Sequence, residues 1–115
     1  MPNFIRATTF RGRPFVYTGE LNAGLEIFFF KDGEPTGNTK NIATDDIILI
    51  RDKIEQAGSI AMGACRDDPS RNSLGQMLQQ RQRSPQILSY VLPLLEEEGF
   101  LEHYQEGRAI WVKRK

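Results

Sequence analysis

The residue types that carry covalent or metal chemistry are scarce in this chain. Its 115 residues include one cysteine, Cys65, and one histidine, His103, so neither an intramolecular disulfide nor a Cys/His zinc cluster is expected. A neighbouring Arg66 favours the reactive thiolate form, but the sequence puts no histidine base and no helix N-terminus beside the cysteine. We therefore predict that Cys65 is an inert or half-buried thiol and that His103 is a surface or packing residue.

Motifs of the common enzyme classes are missing from the sequence. It has no glycine-rich phosphate loop after a strand, no nucleophile elbow and no recognisable pair of catalytic carboxylates. Asp67, Asp68 and Asn72 share one polar loop, but their spacing does not match the calcium-binding loop pattern. We predict that the protein is not an enzyme, has no catalytic residues, and uses neither a metal nor a cofactor.

The remaining candidates are cations that could hold phosphate groups. Arg81 and Arg83 lie close together before a predicted helix. A second group of cations is formed by Lys113, Arg114 and Lys115. The 15 Lys and Arg are balanced by 15 Asp and Glu, so the chain has no strong net positive charge to attract nucleic acid. Phosphate binding would therefore depend on a local cluster.

The first 44 residues are predicted to form an antiparallel β-meander. Aromatic and β-branched residues are enriched in segments 4–10, 15–19 and 25–33, and residues 37–41 could return as a short fourth strand. The third segment is apolar on both of its faces. We expect it to be a central strand that is covered on both sides or exposed for a partner.

Residues 45–115 are predicted to contain three helices and a hairpin. The first helix spans 47–57, after a Thr44-Asp45-Asp46 start that caps it, and ends at Gly58. A short strand follows, and apolar spacing indicates a second helix over 74–82. A third helix begins at Ser84-Pro85 and continues to Gly99, and residues 100–112 alternate as two strands.

This order of helix, short strand, helix, helix and hairpin resembles that of the winged helix-turn-helix superfamily. The shared features lie in residues 84–112: a Ser-Pro helix start, three leucines at helical spacing, an acidic helix end, and a glycine in the hairpin turn. The resemblance covers residues 45–115 and points to no particular family. It implies an α+β fold in which the meander of residues 1–44 packs on three helices and a β-hairpin wing.

The resemblance also implies a site. In superfamily members that bind DNA, the third helix enters the major groove and the wing touches the backbone. In this chain that helix would present Gln86, whose amide can pair with adenine, and the wing would present Arg108. The implied function is DNA binding in transcriptional regulation or a related nucleic-acid process. The residues predicted to contact double-stranded DNA are Arg81, Arg83, Ser84, Gln86, Tyr90, Arg108 and Lys113.

A second hypothesis comes from an apolar stripe on the third helix. Ile87, Tyr90 and Leu94 recur at helical spacing on the side that would face the groove, where polar residues are expected. Such a stripe needs a cover, which could be the meander, a second copy of the chain or another protein. The alternative function is a winged-helix module for protein interaction or dimerisation that does not bind DNA.

No segment of the sequence is long and apolar enough to enter a membrane. The longest apolar runs, 27–30 and 47–50, are far shorter than a membrane span, and the N-terminal residues lack the pattern of a secretory signal. We predict a cytoplasmic protein with no membrane partner.

Overall fold

The N-terminal part of the chain is a four-stranded antiparallel meander, in a computed structural model that describes residues 4–63 and 72–115. Each strand pairs with the next one in sequence, which confirms the predicted meander. The strands are β1 Ile5–Thr8, β2 Pro14–Glu20, β3 Gly24–Lys31 and β4 Glu34–Ile42.

The fourth strand is longer than the short return that the sequence predicted over residues 37–41. It begins at Glu34, which pairs with Lys31 across a two-residue turn. Asp32 and Gly33 both have positive φ angles, of 54° and 81°. Positive φ at both central residues is the requirement of the tight hairpin turn whose twist matches that of the flanking strands. The chain therefore reverses at once and β4 starts three residues earlier than predicted.

The two faces of β3 have different surroundings. Leu25 and Ile27 are buried on one face, while on the other Phe28 is half-buried and Phe30 is 41% exposed. The strand lies between β2 and β4, so its predicted central position is confirmed. Only one face is fully covered, because successive side chains point to opposite sides and the helices lie on one side.

The rest of the described chain contains three α-helices and a second antiparallel sheet, which confirms the α+β class. The second sheet has the strand order β5-β7-β6. Its elements and the helices are α1 Thr44–Ala57, β5 Ser59–Ala61, α2 Leu74–Gln80, a 3₁₀ turn Pro85–Ile87, α3 Leu88–Glu97, β6 Leu101–Glu106 and β7 Ala109–Arg114.

The ends of α1 only partly follow the sequence prediction. Thr44 is the first residue of the helix rather than its cap, so its hydroxyl cannot take the capping position, which belongs to Ala43. Asp45 and Asp46 lie in the first turn, near the positive end of the helix dipole, as predicted. Gly58 ends the helix with a φ of 75° and donates its N–H to the Ile54 carbonyl.

The connection between α2 and the 3₁₀ turn is short. Gln82 takes the left-handed conformation, with a φ of 61°, in a position where glycine is common. Arg83 then donates its N–H to the Leu78 carbonyl at 2.8 Å, which folds the segment back on α2. The predicted third helix accordingly begins as a 3₁₀ turn, and its α-helical part starts at Leu88.

One continuous cluster of buried side chains joins the meander to the helices. The meander contributes Phe15, Leu25, Ile27 and Ile42. From the remaining elements come Ile47, Ile50 and Ile54 of α1, Leu74 and Leu78 of α2, Leu88, Val91, Leu92, Leu94 and Leu95 of α3, and Leu101 and Val112 of the second sheet.

Candidate nucleic-acid interface

Arg83 is engaged within the protein. Its Nη1 donates a hydrogen bond to the Asp46 carboxylate in the first turn of α1, and its Nε is buried without a hydrogen-bond partner among the described residues. The Asp46 charge cancels most of the attraction that Arg83 would exert on a phosphate. Arg83 therefore connects the turn before α3 to α1, and its charge is paired with Asp46 where the sequence predicted a contact with phosphate.

Arg81 is exposed but lies apart from the other predicted residues. It lines a cavity of about 590 Å³ together with Lys53 and Trp111. Gln86 and Ile110 line a different cavity. The two cavities share no described lining residue, so Arg81 does not border the cavity that contains Gln86.

Ser84 and Lys113 already have partners. The Ser84 hydroxyl accepts the Gln86 N–H at 3.3 Å and caps the 3₁₀ turn. Lys113 Nζ lies 3.1 Å from Glu102 Oε1 on the neighbouring strand, and both side chains are about half exposed. Ser84 has a structural role here, and the charge of Lys113 is largely balanced by Glu102.

The predicted apolar stripe on α3 is covered by this chain. Ile87 and Leu94 are buried, at 3% and 4% exposure. Tyr90 is half-buried, and its ring meets the rings of Phe15 and Phe29 edge-on, at centroid distances of 5.1 and 5.7 Å. The meander therefore covers the Tyr90 side of the helix, and Ile87 and Leu94 are not available to a partner in this fold.

Gln86, Tyr90 and Arg108 lie around one cleft of about 640 Å³. The structure thus joins three of the seven residues predicted to bind nucleic acid. The cleft opens between the β1–β2 loop, β4, the start of α3 and the turn before β7. Its remaining lining residues are Thr9, Phe10, Arg11, Arg13, Phe29, Lys40, Met62, Gly63, Ser89, Ala109 and Ile110.

The described charged residues that line this cleft are all positive. They are Arg11, Arg13, Lys40 and Arg108, and no aspartate or glutamate of residues 4–63 or 72–115 lines it. Within residues 4–63 and 72–115, none of the four has a carboxylate within ion-pair distance. We call these four residues the cleft cations. A concave surface with several unneutralised cations favours an anionic ligand.

The pKa of Tyr90 reflects the same surroundings. Burial raises the pKa of the Tyr90 phenol above its ordinary value, and the positive charge of Arg13 acts in the opposite direction. An effect of Arg13 on the phenolate means that the guanidinium and the ring are close enough to interact. Arg13 is therefore directed toward the α3 side of the cleft.

The β1–β2 loop is held in place by hydrogen bonds within the loop and by an aromatic contact with β6. Within the loop, Thr9 Oγ1 accepts the Arg13 N–H at 3.0 Å, and the Thr9 N–H donates to the Arg13 carbonyl at 2.8 Å. Phe10 stacks on the His103 ring with a centroid distance of 3.9 Å and an interplanar angle of 13°. His103 Nδ1 lies 2.6 Å from Glu96 Oε2 at the end of α3. The loop carrying two cleft cations is thus attached to β6 and α3.

Sequence reasoning missed three of the cleft cations. Arg11 and Arg13 flank Gly12 in a segment that reads only as a turn, and Lys40 is a single lysine in a weak strand. Lys40 is paired with Ile27, so its side chain lies on the face of the meander that packs on the helices. Strand alternation in β4 is the one signal that could have assigned Lys40 to that face.

Comparisons with protein-family models, with curated proteins and with solved structures found no match to this chain. What the protein does must therefore be inferred from its own residues. Cys65, Asp67 and Asp68 lie outside the described residues. In the part of the chain that the structure describes, no three His, Cys, Asp or Glu side chains are grouped as metal ligands. None of the described helices has the length and apolar character of a membrane span.

Proposed function

We propose that the protein binds nucleic acid through this cleft, as a winged helix-turn-helix type of protein with a role in transcription regulation or another nucleic-acid process. The element order α1-β5-α2-α3-β6-β7 supports the proposal of a winged-helix protein, because it is the order that the sequence resemblance implied. Arg108 belongs to the turn between β6 and β7, which is the wing in that comparison.

The observation that carries the proposal is the group of cleft cations. Nucleic-acid backbones are recognised by Lys and Arg that replace condensed counterions, and each replaced counterion adds to the affinity. A chain of zero net charge can gain this effect only where its cations are gathered without carboxylates. Arg11, Arg13, Lys40 and Arg108 meet that condition.

The other lining residues suit the same class of ligand. The Gln86 side chain can donate and accept hydrogen bonds at a base edge, and Ser89 and Thr9 offer hydroxyls to phosphate or sugar oxygens. Phe10, Phe29 and Tyr90 supply aromatic surface beside the cations. Aromatic side chains next to cations are typical of proteins that hold nucleic-acid bases.

Binding is tested by fluorescence anisotropy with labelled single-stranded and duplex oligonucleotides of random sequence, over a range of salt concentrations. We expect binding that weakens steeply with salt, because phosphate contacts release counterions. Replacing Arg13 and Arg108 by Gln should reduce the slope of log affinity against log salt by about 1.4 to 1.8, which is the value for two lost phosphate contacts.

A matched control removes the same charge elsewhere. Lys31 and Lys115 are both exposed and neither lines the cleft, so Lys31→Gln with Lys115→Gln should leave the slope nearly unchanged. Circular dichroism and thermal melting verify that both double variants are folded. The proposal fails if no oligonucleotide binds even at low salt, or if the control pair weakens binding as much as the cleft pair.

A further inference from the structure

Helix α3 has almost no free surface with which to read a DNA groove. From Ile87 to Leu95 no residue is exposed: Ser89 and Tyr90 are half-buried, and all the others are buried. The side of α3 that carries Tyr90 is covered by Phe15 and Phe29 of the meander. A helix that reads base edges must bring bare polar side chains to them.

The dimensions of a duplex lead to the same conclusion. The major groove is about 12 Å wide, which is close to the width of a single helix with its side chains. A helix that carries a β-sheet on its open side is two layers thick and cannot enter that groove. The sheet is also attached, since Phe10 stacks on His103 and Phe15 belongs to the shared core.

The cleft itself is suited to a ligand that is narrower than duplex DNA. Its volume of about 640 Å³ is in the range of pockets that enclose a small organic molecule, and its walls combine cations, hydrogen-bonding groups and aromatic rings. A single strand can follow such a groove with its phosphates on the cations and its bases against the rings. The bases of a duplex are stacked inside the helix and cannot reach Gln86 or Phe29 in this way.

We infer that the cleft formed by Arg11, Arg13, Lys40, Arg108 and Gln86 binds single-stranded nucleic acid in preference to duplex. This inference rests on the proposed function, because it names the form of nucleic acid that the same site takes. The bound single-stranded nucleic acid would contact both the meander and residues 45–115, so neither part alone contains the site.

The test compares three labelled probes of the same mixed sequence, about 12 nucleotides long, which is within the usual site size of single-strand binders. They are single-stranded DNA, single-stranded RNA and the DNA duplex, each titrated with the full chain at low salt. We expect at least one single-stranded probe to bind about tenfold more tightly than the duplex, because only unpaired bases add stacking to the phosphate contacts. Arg13→Gln with Arg108→Gln should weaken binding of that single-stranded probe, because two phosphate contacts in the cleft are lost, and unchanged binding would place the nucleic acid outside the cleft.

The outcomes separate this inference from the proposed function. If duplex binds as tightly as single strands and the cleft variants weaken it, the proposed function holds and the inference is wrong. If no probe binds, both are wrong. A further check compares an unlabelled mononucleotide with the unlabelled oligonucleotide as competitors, at equal concentrations of nucleotide units. If both displace the probe equally, the inference is wrong and the site binds a small anionic ligand. Arg108→Gln alone repeats the test if the double variant fails to fold.

Discussion

Arg83 and Arg13 both border the start of α3, but their electrostatic surroundings are opposite. Arg83 is paired with Asp46, and three other cations are likewise matched: Arg51 with Glu98, Arg114 with Glu55 and Lys113 with Glu102. Arg13 lies in a cleft that has three more cations and, among the described residues, no acidic lining residue. We call the first set the paired cations, as distinct from the cleft cations.

The difference shows that cations in a neutral chain can have two separate uses. The paired cations connect elements that are far apart in sequence, such as the C-terminal strand and α1 through Arg114 and Glu55. Arg114 also lies over the Phe100 ring at 4.3 Å and donates to the Phe100 carbonyl, so it is held by packing as well as by charge. Within residues 4–63 and 72–115 the side chains of the cleft cations have no ion-pair partner, so their charge is available for a ligand.

The largest expected effect is on the cleft. Reversing two charges, Arg13→Glu with Arg108→Glu, should lower affinity for a single-stranded probe by about a hundredfold near physiological salt, because two attractive contacts become repulsive. Thermal unfolding should change little, since neither side chain is buried and neither has an ion-pair partner among the described residues. Anisotropy and melting curves on the same sample measure both quantities. A large loss of stability with unchanged affinity would reverse the roles assigned to the two sets.

A smaller effect is expected for the paired cation nearest the site. Arg83→Ala should lower the free energy of unfolding by about 0.5–1 kcal/mol, in the range of partly exposed ion pairs, by leaving Asp46 without its partner. Affinity for nucleic acid should stay within about twofold, because Arg83 adds no free charge. Chemical denaturation measures the first quantity and anisotropy the second. A decrease in the salt slope for this variant would show that Arg83 reaches the ligand after all.

The titration of Tyr90 tests whether Arg13 is directed into the cleft. A nearby positive charge stabilises the phenolate, so Arg13→Gln should raise the pKa of Tyr90 further above its ordinary value. Absorbance of the phenolate during an alkaline titration reports the shift, and Tyr90→Phe identifies which ionisation step belongs to this residue. Arg81→Gln is the control, because Arg81 lines the other cavity. An unchanged Tyr90 titration in the Arg13 variant would place that guanidinium away from α3.

The smallest effect is expected for Lys113. Its pair with Glu102 is exposed on both sides, so Lys113→Ala should change the unfolding free energy by less than about 0.5 kcal/mol. Affinity for nucleic acid should also be unaffected, although the sequence predicted a contact there. Denaturation and anisotropy measured beside wild type are sufficient to test this. A lowered affinity would extend the binding surface to the outer side of the second sheet.

Most of the local structure follows from the amino-acid sequence alone. Alternating apolar residues predicted the meander strands, and helical spacing predicted α1 and α2. Ser73 and Ser84 cap the beginnings of helical segments, and Gly58 ends α1, as capping chemistry requires. These features depend on neighbours within a few residues in the chain, which is why they can be predicted from sequence. The tight turn at Asp32-Gly33 is the kind that the Asp-Gly pair predicts, but the early start of β4 was missed because Glu34, Gly37 and Asn38 have low strand propensity.

Which cations are paired and which are free depends on how the chain folds in three dimensions. Arg83 and Asp46 are 37 residues apart, and Arg114 and Glu55 are 59 apart, so nothing in the local sequence shows that they neutralise each other. The cleft likewise forms where the β1–β2 loop, Lys40 of β4 and Arg108 of the β6–β7 turn meet. Charge interactions depend on distance in space and on burial, and both are set by how the meander, the helices and the second sheet pack together.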